Sequence, residues 1–225
     1  MASCDVLVIG AGPGGGSAAL HSARAGLSTI IVEADPEVGV PVHCGECLSQ
    51  MAVDNLDLDL PEDVVALDCK GIRVIFPDGT KKLLTEKGYV LEKHKFEQWL
   101  CSEAVKKGAS LHLSHRVTSM ERIYNSENEF VNWKIDGKGN EFPIECKAVI
   151  DASGVTGAAT KLLDMGTEVE VIAGFQYEMT DVENDGYLDF YLWPEYSPHG
   201  YVWMIPKDGK LSLIHISEPT RRSMI

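Results

Sequence analysis

No apolar run in the 225-residue sequence reaches the roughly 18 positions that a membrane-spanning helix needs, which excludes a helical span. Positive charge is also short. Twenty Lys and Arg stand against 34 Asp and Glu, a net charge of −14. That balance argues against a nucleic-acid partner and against electrostatic adsorption to an anionic membrane. The N-terminus enters an apolar strand pattern almost at once, leaving no room for a secretory leader, so a cytoplasmic location is expected. Six cysteines, at positions 4, 44, 47, 69, 101 and 146, are scattered through the chain and read as reduced thiols, not as a disulfide framework. Only Cys44 and Cys47 form C-x-x-C. No second such pair and no histidine pair at zinc-finger spacing joins it, so no metal site is expected. Internal repeats and low-complexity linkers are missing too. The length suits one large domain or two small ones.

What is present is concentrated at the start. In Asp5-Val-Leu-Val-Ile-Gly-Ala-Gly-Pro-Gly-Gly-Gly-Ser17, Val6 to Ile9 read as a strand buried on both faces of a parallel sheet. Gly10, Gly12 and Gly15 then fit G-x-G-x-x-G. The first allows the tight turn, the second a close backbone approach to a pyrophosphate, and the third close packing of helix on strand. The helix that follows aims its free N–H groups and positive dipole end at phosphate. Residues 28–32 read as the second strand, ending at Glu33, where a carboxylate accepts hydrogen bonds from a ribose. Its negative charge disfavours a 2′-phosphate, which leaves FAD or NAD as the dinucleotide.

Further along, 36–50 is a glycine- and proline-punctuated loop with little periodicity, a type of segment that is often functional. Residues 71–76 and 81–84 flank Pro77-Asp-Gly-Thr80 as a hairpin, and 88–91 form a short strand. Apolar positions 96, 99, 100 and 104, closed by Lys106-Lys107-Gly108, read as a helix. Strands are expected at 110–113, 117–123 and 130–135, with a turn at 136–140. A buried strand at 148–151 leads into a small-residue helix ending near Leu163. The aromatic stretch 169–205 reads as three or four antiparallel strands. Beyond Lys210, Leu211-Ser-Leu-Ile-His-Ile-Ser-Glu-Pro-Thr-Arg221 is similar to a transposase sequencing adapter translated in frame, so residues 211–225 are expected to be foreign and the native chain truncated. An ordinary strand and loop is the alternative there.

Taken together, the chain resembles the geranylgeranyl reductase family of flavoproteins, which share the aromatic-hydroxylase fold. The resemblance runs over about 4–210. It is carried by the Gly10–Gly15 loop with Glu33, Pro41-Val-His-Cys-Gly-Glu-Cys47 and Tyr89-Val-Leu-Glu-Lys-His-Lys-Phe96. Val149-Ile-Asp-Ala-Ser-Gly154 and Tyr201-Val-Trp-Met-Ile-Pro206 complete it, the last similar to a Y-x-W-x-F-P cavity motif. It implies an α/β fold: a Rossmann-like FAD-binding domain (1–70 and 87–165) with an antiparallel-sheet substrate domain (71–86 and 166–210), incomplete at its C-terminus. It also implies FAD at Gly10, Gly12, Pro13, Gly14, Gly15, Glu33, Ala34, Cys44, Gly45, Lys93, Val117, Asp151 and Gly154. Cys44, Tyr201 and Trp203 are the implied catalytic residues. The implied reaction saturates C=C bonds of geranylgeranyl chains, of the archaeal ether-lipid kind, with NAD(P)H or reduced ferredoxin as electron donor. A lipid substrate implies peripheral membrane contact. Three positions depart from the family pattern. Lys93 replaces an arginine and lacks its rigid fork. Ser153 replaces an Asp, and Ile205 replaces a Phe.

Saturating an unactivated alkene needs a hydride and a proton, with the protein supplying position, dryness and a proton route. Phe175, Tyr177, Phe190, Tyr191, Trp193, Tyr201 and Trp203 could line an apolar tunnel, although ordinary sheet packing accounts for about half of such aromatics. His43 and Glu46 could relay protons. The competing readings are a monooxygenase or halogenase of the same fold, and a flavin-binding fragment without catalysis.

Overall fold

The computed structural model describes residues 2–42, 44–166, 173–197, 200–207 and 210–217. His43, one of the two proposed relays, lies outside them. The chain starts with β1 (Ala2–Ile9), α1 (Pro13–Arg24) and β2 (Thr29–Val32). Next come β3 (Cys47–Ser49), α2 (Gln50–Asn55), β4 (Val65–Cys69), β5 (Gly71–Ile75), β6 (Lys81–Leu84) and β7 (Gly88–Leu91). The middle holds α3 (Lys93–Lys106), β8 (Ser110–His112), β9 (Arg116–Tyr124), β10 (Phe130–Lys138), β11 (Ile144–Asp151) and α4 (Ala158–Leu162). The chain then continues through β12 (Ala173–Thr180), β13 (Tyr187–Tyr191), β14 (Val202–Lys207) and β15 (Lys210–Ser217).

Two compact units emerge, one from Met1–Val42 with His94–Val169, the other from His43–Lys93 with Glu170–Ile225. From sequence, 43–70 and 87–93 are expected in the dinucleotide domain. The short strands form their own sheet in the order β3-β7-β4, and Cys69 of β4 and Val90 of β7 share a core with Leu188 of β13 and Ile205 of β14, which holds this stretch in the second unit.

The first unit is built on a six-stranded sheet ordered β8-β2-β1-β11-β10-β9. Its β8, β2, β1 and β11 are parallel, and β10 and β9 continue antiparallel. Every residue of β2 is buried, and Leu7, Val8 and Ile31 are fully covered, as expected for parallel strands enclosed on both faces. Each such side chain contributes about 1.5–3 kcal/mol through its burial. Helix α3 buries Phe96, Leu100 and Ala104 along one i, i+4 stripe, with Glu97 and Cys101 beside it. Near Gly16 of α1, an added Cβ would stand 2.9 Å from Leu100 Cβ, so only glycine lets the two helices meet this closely.

The expected turn at 136–140 is strand as far as Lys138. A register shift at Asp136/Gly137 absorbs the irregularity, and a Cβ on Gly137 would sit 2.2 Å from the Arg116 carbonyl, a close approach that glycine permits within a strand.

The second unit contains the sheet β12-β15-β14-β13-β5-β6 around a small core of Cys69, Val90, Leu188 and Ile205. The hairpin β5–β6 forms as expected. The aromatic stretch is antiparallel only in part, because β13 runs parallel to β5, with Asp189 opposite Arg73. An Arg73–Asp189 fork fastens that pairing, with Nε–Oδ1 at 2.6 Å and Nη2–Oδ2 at 2.9 Å. Two more expectations shift. The loop 36–50 ends in strand β3 and the first residue of α2, and the helix expected from Phe96 begins at Lys93. Strand β15, drawn from the adapter-like segment, pairs with both β12 and β14. Backbone pairing is open to any non-proline residue, so this geometry is independent of the segment's origin. Residues 218–225 lie outside the described residues.

Candidate functional site

In the first unit, Gly10 adopts φ +99°, and a Cβ there would stand 2.5 Å from the Ala152 carbonyl. The loop after β1 is thus pressed on the end of β11. At Gly15 the added atom would be 1.9 Å from the Gly10 carbonyl, so the first turn of α1 lies directly on the strand end. Gly12 differs. Apart from Glu97 Oε1 at 4.0 Å, nothing approaches its Cβ direction, and as N-cap of α1 it makes no side-chain cap. The start of α1 therefore combines first-turn amides, a positive dipole end and open space over a glycine, a cradle that fits the diphosphate of a dinucleotide.

Glu33 completes this side. Its Oε2 accepts from Ala11 N at 2.7 Å and its Oε1 from Asp35 N at 2.9 Å. A carboxylate has about four lone-pair sites, so both oxygens retain capacity for ribose hydroxyls. Pro13 and Gly14 lie in the first turn of α1, Ala34 follows Glu33, and Val117 is buried in β9.

Asp151, at the end of β11, is occupied by its own chain. Oδ1 accepts from Ser153 N (3.1 Å) and Oγ (2.6 Å), and Oδ2 accepts from Ala159 N (2.8 Å) and Thr160 N (3.3 Å). Burial pushes its pKa up, but the Ser153 bonds and then the α4 amides outweigh it and hold it below the usual carboxylate value. Ser153, where the family pattern has an acid, accepts from Ala158 N at 2.7 Å and so helps to start α4. Gly154 has φ +64° with no atom near its Cβ direction.

In the second unit, the Cys44 loop is fixed by a buried carboxylate. Glu46 takes a left-handed backbone (φ +60°), which costs a non-glycine residue about 1–2 kcal/mol. Its carbonyl accepts from Leu91 N at 2.8 Å, and its Oε1 accepts from Lys93 N at 3.1 Å. The Lys207 ammonium donates to both Glu46 oxygens at 2.9 and 2.8 Å and lies 3.2 Å from Glu92. These side chains are 10% (Lys207) and 1% (Glu46) exposed. Burial works to lower the Lys207 pKa, yet the hydrogen bonds and charges of Glu46, then of Glu92, hold it above its ordinary value. Glu46 is therefore an anchor that ties the Cys44 loop to the end of β14. Lys207 and Glu92 were not singled out from sequence, and the available signal was an acid inside a cysteine motif paired with a lysine directly after the cavity motif.

The half-buried Cys44 accepts from Glu46 N at 3.4 Å. Cys47 is exposed and donates to the Gly45 carbonyl. Both cysteines are free. A Cβ on Gly45 would meet Ile205 Cδ1 at 2.9 Å and Trp203 Cζ2 at 3.2 Å. The loop backbone thus lies flat on the cavity-motif strand. Tyr201 and Trp203 stack at 5.3 Å, and Phe190 touches both at 5.7 and 6.2 Å. Trp203 Nε1 is buried without a hydrogen-bond partner among the described residues. Tyr191, Trp193 and Tyr196 make a separate cluster, Tyr177 is exposed, and the Phe175 side chain lies outside the described residues. Of the residues implied from sequence, Gly10 to Gly15 with Glu33 gather in one unit, and Cys44, Gly45, Tyr201 and Trp203 gather in the other.

Comparison with known proteins adds two adjoining matches. Residues 5–170 match the model for FAD dependent oxidoreductases, and residues 170–217 match that for the geranylgeranyl reductase catalytic domain. A digeranylgeranylglycerophospholipid reductase of Thermoplasma volcanium is 32% identical over 96% of this chain, and the chain spans 57% of that relative's length. A crystal structure described as geranylgeranyl bacteriochlorophyll reductase-like, from Thermoplasma acidophilum, superposes with TM-score 0.87 at 32% identity, covering 97% of this chain and 57% of that one. A flavin-dependent brominase superposes with TM-score 0.75 at 22% identity over 96% of this chain and 57% of its own, a likeness of fold alone.

Proposed function

Because the chain belongs to the FAD-dependent oxidoreductases, we propose that the protein it represents saturates C=C bonds in geranylgeranyl chains of ether-lipid precursors. The observation that supports this reading is the seating of Gly45, the chain neighbour of the half-buried Cys44, on Trp203 and Ile205. The match of residues 170–217 to the geranylgeranyl reductase catalytic domain, and the similarity to lipid reductases, support the substrate class.

In this reading the amides opening α1 hold the FAD diphosphate and Glu33 holds its ribose. FAD, when bound, supplies the hydride. Tyr201, Trp203 and Phe190 present an apolar wall to an isoprenoid chain and keep water from it. Cys44 sits on a loop clamped by Glu46 and Lys207, which fixes its place against that wall. Lys93, Asp151, Gly154, Val117 and the remaining implied contacts belong to the same proposal, as do peripheral contact with the membrane that holds the lipid and a donor, NAD(P)H or ferredoxin, that reduces the flavin.

The test uses a version of the chain extended to the length of its relatives, purified and loaded with FAD. Dithionite-driven uptake of hydrogen into a geranylgeranyl lipid, read by mass spectrometry, is the expected result. A Cys44→Ser variant is expected to keep its flavin spectrum and lose turnover. Rapid NADPH oxidation with aromatic substrates, and no lipid saturation, would favour the hydroxylase or halogenase reading instead.

A further inference from the structure

Outside the flavin and cavity residues, one group among the described residues has metal-ligand chemistry. Donor atoms of His112, His115 and Glu141 all lie within 4.8 Å of one another. His112 ends β8, His115 lies in the link to β9, and Glu141 lies between β10 and β11. His112 Nδ1 is 3.7 Å from Glu141 Oε1, and His115 Nε2 contacts Glu141 Oε2. Tetrahedral zinc, with bonds of about 2.0–2.2 Å, separates its ligand atoms by about 3.3 Å, so small side-chain adjustments suffice.

We propose that His112, His115 and Glu141 bind one divalent transition-metal ion, zinc by the chemistry of the set. Two imidazoles and a carboxylate suit it, and the exposure of Glu141 (39%) leaves a fourth position to water. Part of the outer shell is in place. His115 Nδ1 lies 2.7 Å from the Leu113 carbonyl, which makes Nδ1 the donor and directs Nε2 toward the metal position. The ring packs against Phe142 at 5.6 Å, and a Cβ on Gly139 would stand 2.3 Å from it. The backbone ties the pair to the dinucleotide strand, since Glu33 N donates to the His112 carbonyl and His115 N to the Glu33 carbonyl. A metal here staples the entry to β9 and the β10–β11 link to the strand end bearing Glu33. In sequence the signal is His112-x-x-His115, a spacing unlike that of a zinc finger.

The test is titration of the metal-free chain with zinc chloride by calorimetry and with cobalt(II) by visible spectroscopy, using a Cys44→Ser/Cys47→Ser form so that thiolates do not compete. Expected are one site of micromolar affinity or tighter, the strong visible bands of four-coordinate cobalt, and a zinc-dependent rise in melting temperature. Glu141→Gln and His112→Gln are each expected to weaken binding about tenfold or more. If either variant folds poorly without metal, the cobalt spectrum of the parent still decides. Weak six-coordinate bands, no saturable binding, or binding unchanged in both variants would overturn the proposal and leave a histidine–carboxylate contact.

Discussion

At the scale of single residues, the glycines after β1 differ in what they tolerate. An alanine at 15 drives its Cβ into the Gly10 carbonyl at 1.9 Å, whereas at 12 it enters open space. Gly15→Ala is therefore expected to lose both fold and flavin. Gly12→Ala should keep its melting temperature within about 1 °C of the parent's when flavin-free, a shift expected of a mutation that removes no packing, yet bind FAD at least about tenfold more weakly, a loss near 1.4 kcal/mol. Flavin absorbance per polypeptide and thermal melts of the apoprotein separate the two. Lys207 makes a second residue-scale case. Lys207→Met leaves Glu46 buried without its cation and is expected to cost about 3–5 kcal/mol, while Lys207→Met with Glu46→Leu recovers much of it. Urea midpoints of the two variants check this. The sign with pH follows from the raised Lys207 pKa. Its contribution is complete below the ordinary value of 10.5 and is lost as pH rises through the higher folded value. The gap between parent and Lys207→Met midpoints should thus hold from neutral pH to about 10 and narrow beyond it.

Among elements, the parts legible in sequence are those whose signal is local. The β1 run, the glycines with Glu33, the β5–β6 hairpin and the α3 stripe each fit within a dozen or so neighbouring residues, except for Glu33, whose distance is set by one helix. The parallel partnership of β13 with β5 was not legible, because register between strands more than a hundred positions apart leaves no periodicity in either one. The anchor of the Cys44 loop was hidden for the same reason, since Glu46 and Lys207 are 161 positions apart. Asp151 shows a motif residue whose visible work is structural: it was singled out for the cofactor, and its carboxylate also starts α4. Asp151→Asn keeps an acceptor oxygen but removes the negative charge at the start of α4, and is expected to cost about 0.3–1 kcal/mol at neutral pH. Because the folded pKa lies below the ordinary 3.8, that advantage is present above 3.8 and is lost as pH falls through the depressed value. Urea midpoints of parent and variant, apart at pH 6, should therefore converge as the solution is acidified below pH 3.8.

For the molecule as a whole, the division into two units bears on what a chain spanning 57% of its relatives' length can still do. All side chains assigned to the diphosphate and ribose lie in Met1–Val42 with His94–Val169, the unit with the larger sheet core. Dinucleotide affinity is thus expected to survive in this chain even where turnover does not. A ligand that binds only the folded state at about 100 times its Kd stabilises it by about 2.7 kcal/mol. That gain appears wherever the opening that exposes an amide also releases the ligand. Added FAD should slow hydrogen exchange in β1, the start of α1, β2 and β11. In β5, β13 and β14, whose amides open by separating strands of the other sheet, exchange should change little. Equal protection in both units would show either that they unfold as one or that Cys44, Gly45 and Lys93 of the second unit also hold the FAD, and no protection in either would remove the dinucleotide site on which the proposed reaction rests.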